Sequence, residues 1–139
     1  APGGAVGWSN LSDGRLKENI LNNVVGLDFI LNLKPVTYNY NFKAIDPKSQ
    51  NNNIRYSGFI AQEVEQTAKK VNYDFSGVDI PKNENDFYSL RYAEFVVPIV
   101  KSIQEQQKTI EALKLELELQ KQKNEALEKR LKAIEEKLK

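Results

Sequence analysis

The stretch from Val96 to Leu138, VVPIVKSIQEQQKTIEALKLELELQKQKNEALEKRLKAIEEKL, holds no Gly and only Pro98, close to its start. Strong helix formers fill the rest. Val96, Ile103, Ile110, Leu117, Asn124, Leu131 and Leu138 take position a of a heptad repeat, and Ile99, Gln106, Leu113, Gln120, Leu127 and Ile134 take position d. This spacing runs unbroken for about six heptads, the pattern of a coiled coil. In a parallel, in-register coil each g residue meets the e residue of the next heptad on the neighbouring helix. The pairs charged on both sides are Glu116 with Lys121, Lys123 with Glu128, and Arg130 with Glu135, all opposite in sign. A helix packed only within its own chain has no need of that matching, so the charges predict parallel homo-association. The a and d layers mix Ile, Val and Leu and leave the choice between two strands and three open. Gln106, Gln120 and Asn124 are polar core residues suited to fixing register at some cost in stability. Leu115 and Leu119 fall at f and c, outside the seam.

Upstream of the helix the pattern changes. Val24, Val25, Leu27, Ile30, Leu31 and Leu33 recur at a helical period and stop before Lys34-Pro35, which predicts a helix over 23–33. Val36, Tyr38, Tyr40 and Phe42 alternate with Thr37, Asn39 and Asn41, as in a half-buried strand. A polar loop from Asp46-Pro47 to Asn53 leads to a second strand over 54–60 and a short helix over 61–70. The stretch 71–91 is rich in loop signals, with short strands expected at 73–75 and 87–90. The fold class is therefore α+β: a small mixed N-terminal domain over 12–92, then the coil helix over 93–139. Residues 1–11, APGGAVGWSNL, carry Gly and Pro but no charge, and are expected to be a linker or the end of an upstream passenger. The start at Ala1 and the absence of any Met point the same way.

Composition narrows the chemistry. In 139 residues there is no Cys and no His, which excludes thiolate and imidazole catalysis, Ser-His-Asp triads and zinc sites of the usual kinds. No metal and no cofactor is expected. Lys and Arg number 20 against 19 Asp and Glu, so no general affinity for nucleic acid is expected. No window approaches the ~18 apolar residues of a membrane span.

Any catalysis must then run on Ser, Thr, Lys, Tyr or carboxylates. Ser12-Asp13-Gly14-Arg15-Leu16-Lys17 lies at the boundary of the mixed domain. Ser12 followed by Asp13 reads first as a helix N-cap, although Arg15 stands where a capping box would have Glu or Gln. Its other reading is chemical: Lys17 is the nearest base for Ser12, provided burial or a cation such as Arg15 favours the neutral amine. Extended chain would hold the two Cα atoms roughly 16 Å apart. The chain must fold back, for which Gly14 is well placed, or the lysine must come from a neighbouring chain.

SDGRLKENI from Ser12 resembles the opening signature of the peptidase S74 family, the intramolecular chaperone auto-processing domains at the C-termini of phage tailspikes, endosialidases and related fibres. LDFILNLKPVTYNY from Leu27, GFIAQEVEQ from Gly58 and YAEFVVPIVKSIQEQQ from Tyr92 resemble the family in the same order, so the likeness spans 12–107. The resemblance implies a homotrimer that aligns three chains, promotes folding of a β-rich passenger upstream, and releases itself by self-cleavage. It leaves the setting open, with a phage fibre or virion precursor and a bacterial cell-surface protein as the candidates. It makes Ser12 the nucleophile and Lys17 its base, with the cut between Ser12 and Asp13, and gives Arg15, Asn19, Ile20, Gln62 and Glu63 as supporting motif residues. Ring size points to the other side of Ser12. Attack by its Oγ on its own carbonyl needs a four-membered ring, whereas attack on the Leu11 carbonyl passes through a five-membered one. The alternative function is a trimerisation module that never cleaves and is purely structural. Gln62, Glu63 and Glu65 have a plainer reading as solvated residues at a strand-to-helix junction.

Overall fold

The structure, a computed structural model, describes residues 11–139. The expected linker over 1–11 therefore lies, but for Leu11, outside the described residues. A small region of short helices and two-stranded sheets is followed by one long C-terminal helix. In chain order the elements are α1 (Leu27–Ile30), β1 (Val36–Tyr38), β2 (Tyr56–Gly58), α2 (Ala61–Lys70), β3 (Val78–Asp79), β4 (Ser89–Leu90) and α3 (Val96–Lys137), with 3-10 turns at Gly14–Leu16, Phe42–Ala44 and Tyr92–Phe95.

β1 and β2 pair antiparallel, Val36 opposite Gly58 and Tyr38 opposite Tyr56, and β3 pairs with β4 in the same sense. α2 buries Ala61, Val64 and Ala68, spaced at three and four along one face. It carries Glu63 in its first turn and Lys69 and Lys70 in its last, both favourable to the helix dipole. It ends in a Schellman motif. Asn72 takes a left-handed φ of 51°, its N–H donates to the Lys69 carbonyl, and the Tyr73 N–H donates to the Ala68 carbonyl at 2.9 Å.

The core is aromatic. Phe29, Val64, Ala68 and Phe95 are buried, with Val25, Leu33, Phe59, Tyr73 and Phe75 packed around them. Phe75 meets Phe95 edge-to-face at 4.8 Å between centroids, and Phe59 stacks on Phe95 at 5.3 Å. Such contacts add to the burial energy of the rings. Gly58 admits the Tyr92 hydroxyl, because a Cβ there would lie 2.2 Å from it. That hydroxyl accepts the Phe59 N–H at 3.1 Å and joins the GFIAQEVEQ stretch to the start of the long helix.

Several expectations need correction. The helix expected over 23–33 is only Leu27–Ile30. Gly26 ends it on the N-terminal side with a non-helical ψ of −102°. A Cβ on Gly26 would sit 2.6 Å from Glu105 Oε2, so α3 approaches too closely for a longer helix with a side chain there. Glu105 supplies the missing cap, accepting the Leu27 N–H at 2.8 Å. Nor is 73–75 a strand. Tyr73 closes the end of α2, and both Tyr73 and Phe75 turn their rings toward Phe29, at 5.2 and 4.9 Å. The other strands are shorter than expected, and Phe42 opens a 3-10 turn instead of extending β1.

α3 is 42 residues long. The mixed region packs on one flank of its N-terminal end, burying Phe95, Pro98 and Ser102, whose hydroxyl donates to the Pro98 carbonyl at 2.8 Å. Residues 106–137 are all exposed in the single chain. At 1.5 Å per residue they project about 48 Å.

Candidate functional site

Asp13 decides the geometry around Ser12. Its backbone is extended, and its carboxylate accepts the Arg15 N–H at 2.9 Å, capping the 3-10 turn Gly14–Leu16. The Leu16 N–H donates to the Asp13 carbonyl at 3.0 Å and the Lys17 N–H to the Gly14 carbonyl at 3.2 Å. The turn shortens the chain between Ser12 and Lys17, and Lys17 Nζ donates to Ser12 Oγ at 2.8 Å within one chain. The cap is thus Asp13, not Ser12, which leaves the serine hydroxyl to the lysine.

The fold-back does not draw on the freedom of Gly14. No glycine among the described residues has a positive φ, and a Cβ on Gly14 would meet nothing within 4 Å. A left-handed backbone occurs instead at Asn19, with φ 51°, where the chain leaves the motif. Arg15 is also not a free cation beside Lys17. Its guanidinium grips both carboxylate oxygens of Asp13, with Nη2 at 2.6 Å from Oδ2. Each partner shifts the other: hydrogen bonds from Arg15 hold the Asp13 carboxyl below its ordinary range, and Asp13 raises Arg15. The whole segment is exposed, Leu16 and Ile20 included.

Gln62 and Glu63 lie in the first turn of α2, Gln62 exposed and Glu63 half-buried. Glu63 pairs with Lys34 at 3.6 Å, an exposed contact worth little by itself. No hydrogen bond or ion pair among the described residues joins Gln62 or Glu63 to the Ser12–Lys17 turn. Glu65 has a structural part: it accepts the Tyr88 hydroxyl at 3.0 Å and pairs with Lys69, and these hydrogen bonds, Lys69 first, lower its carboxyl. Glu105, 78 residues from the backbone it caps, was not visible as a partner of α1 in any sequence motif.

Among the described residues no group of three or more His, Cys, Asp and Glu could hold a metal ion, and no helix is long and apolar enough to cross a membrane. The Lys17 amine in contact with the Ser12 hydroxyl is the arrangement that nucleophilic catalysis by a serine would need.

No curated protein and no solved structure matches the chain. A family model does, and it takes in the SDGRLKENI, LDFILNLKPVTYNY and GFIAQEVEQ stretches, while the stretch from Tyr92 lies beyond it. Over residues 12–73 the chain matches the Peptidase_S74 family, the chaperone of endosialidase.

Proposed function

We propose that this chain is a trimeric intramolecular chaperone that promotes folding of an upstream passenger, of the endosialidase type or another β-rich fibre, and then releases itself by autoproteolysis at Ser12. The observation that carries the chemistry is the 2.8 Å contact between Lys17 Nζ and Ser12 Oγ. The family match supports the chaperone role. The packing of the mixed region on one flank of α3 supports assembly, because it leaves Ile99, Ile103 and Ile110 of the seam 43%, 58% and 44% exposed.

The reaction balances as follows. The neutral Lys17 amine takes the Ser12 hydroxyl proton as Oγ bonds to the Leu11 carbonyl carbon, closing a five-membered ring. The Leu11–Ser12 C–N bond then breaks, its nitrogen taking the proton back from Lys17. This leaves an ester between Leu11 and Ser12 Oγ. Water hydrolyses the ester, giving a carboxylate at Leu11 and a free amine and hydroxyl at Ser12. No step needs a metal or a cofactor.

A denaturing gel of the full chain, and of a longer chain that includes the passenger, tests this beside Ser12→Ala. Wild type should separate into two pieces and Ser12→Ala should not. The mass of the released peptide reads the side of the cut, ending at Leu11 for the route above and at Ser12 for the other. An uncut wild type that still trimerises would identify a purely structural assembly module.

A further inference from the structure

Resting on that reading of Ser12 and Lys17, we infer that Asp13 and Arg15 form a clasp that positions the Lys17 amine against Ser12 and keeps the Asp13 carboxylate from taking the amine for itself. The turn that brings Lys17 back is a single 3-10 turn with no buried residue, so the mixed region's core does not hold it. Local bonds must do so. The Asp13 carboxylate supplies the side-chain bond, accepting from the Arg15 backbone, which fixes the direction in which the chain leaves Ser12.

The guanidinium has a separate effect. Asp13 adjoins Ser12, and a carboxylate is a stronger acceptor for an ammonium than a hydroxyl is. Left free, it would compete for Lys17 and favour the charged form, which cannot serve as a base. Arg15 occupies both of its oxygens, at 2.6 to 3.1 Å. Lys17 is thereby left to Ser12. Asp13 and Arg15 are positioning residues here, since both act through Lys17.

Processing of the full chain is followed from pH 6 to pH 10 in Asp13→Ala, Arg15→Ala and the double variant Arg15→Ala/Asp13→Asn. Asp13→Ala should slow cleavage at every pH by about tenfold, the scale of a lost cap. Arg15→Ala should move the pH of half-maximal rate upward, because it frees a neighbouring negative charge. Adding Asp13→Asn should return that midpoint to its wild-type position. A merely structural role for Arg15 lowers the rate without moving the midpoint, and that result overturns the shielding of Lys17.

The clasp also has a readout that does not depend on the reaction. In the Ser12→Ala chain, water-exchange NMR at the Arg15 amide should show about fivefold to tenfold faster exchange once Asp13→Ala is added. Unchanged exchange overturns the clasp. Faster exchange together with an uncut wild-type chain would uphold the clasp and sink only the autoproteolytic reading.

Discussion

A lysine accepts a proton only as the neutral amine, so under the proposed reaction the protonation of Lys17 governs the rate at Ser12. Processing should accelerate as pH rises, and it should be indifferent to chelators. Lys17→Ala and Lys17→Arg should both abolish cleavage, because a guanidinium keeps its proton throughout the accessible range. Normal processing by Lys17→Arg would remove Lys17 from the reaction. The contact lies within one chain. Mixed oligomers of Ser12→Ala and Lys17→Ala chains should therefore stay uncut, and cleavage of the Lys17→Ala chains would mean that the amine crosses the subunit boundary. Gly14→Ala should leave processing within about twofold of wild type, since no positive φ and no close contact calls for glycine there. That Ser12 and Lys17 would be paired was legible in the sequence because the motif around them resembles a known signature. The turn that joins them was not, because Ser12 and Asp13 are both good cap residues and nothing in SDG decides between them.

Among the elements, α2 and α3 were readable and α1 was not, for one physical reason. The apolar spacing of Ala61, Val64 and Ala68 and the heptads of α3 are local signals, whereas α1 is bounded by Gly26 against Glu105, far away along the chain. Glu105→Ala should cost about 1 kcal/mol of stability through the lost cap, seen as a lower Tm with the coil still associated. α2 is tied to the chain before β4 by Glu65, whose carboxyl is lowered from its ordinary 4.5 by hydrogen bonds from Lys69 and then Tyr88. A carboxyl lowered in the folded state is protonated first in the unfolded chain. Its contribution is therefore complete above about pH 4.5 and fades as pH falls through the lower folded value. Thermal melts in acid should show a smaller loss of Tm between pH 5 and pH 3 in Glu65→Gln than in wild type. An identical loss would mean that Glu65 contributes nothing to acid sensitivity.

At the scale of the whole molecule, the long helix poses the question of what covers it. The core around Phe29, Val64 and Phe95 lies at its N-terminal end, and beyond Glu105 every helical residue is exposed in the single chain. Leu113, Leu117 and Leu127 of the seam are 57%, 56% and 58% exposed. Burying one leucine is worth about 1.5–3 kcal/mol, so a projecting stripe of them gains far more from partners than from water. In the proposed assembly the g-to-e charges favour parallel partners, and the resemblance of the sequence motifs to the family is the ground for choosing three. Light scattering of an uncleavable Ser12→Ala chain should give about three times 15.9 kDa. Leu117→Lys together with Leu127→Lys places charge at one a and one d layer while leaving the mixed region untouched. That variant should dissociate at micromolar concentration and keep the near-ultraviolet circular dichroism of the aromatic core. The contrasting variant is Phe29→Ala, which should cost about 3–5 kcal/mol and abolish that signal by emptying the core. A double lysine variant that remains trimeric would show that the mixed region, and not the seam, holds the chains together. A stable dimer of the Ser12→Ala chain would overturn the number three and leave the parallel pairing standing.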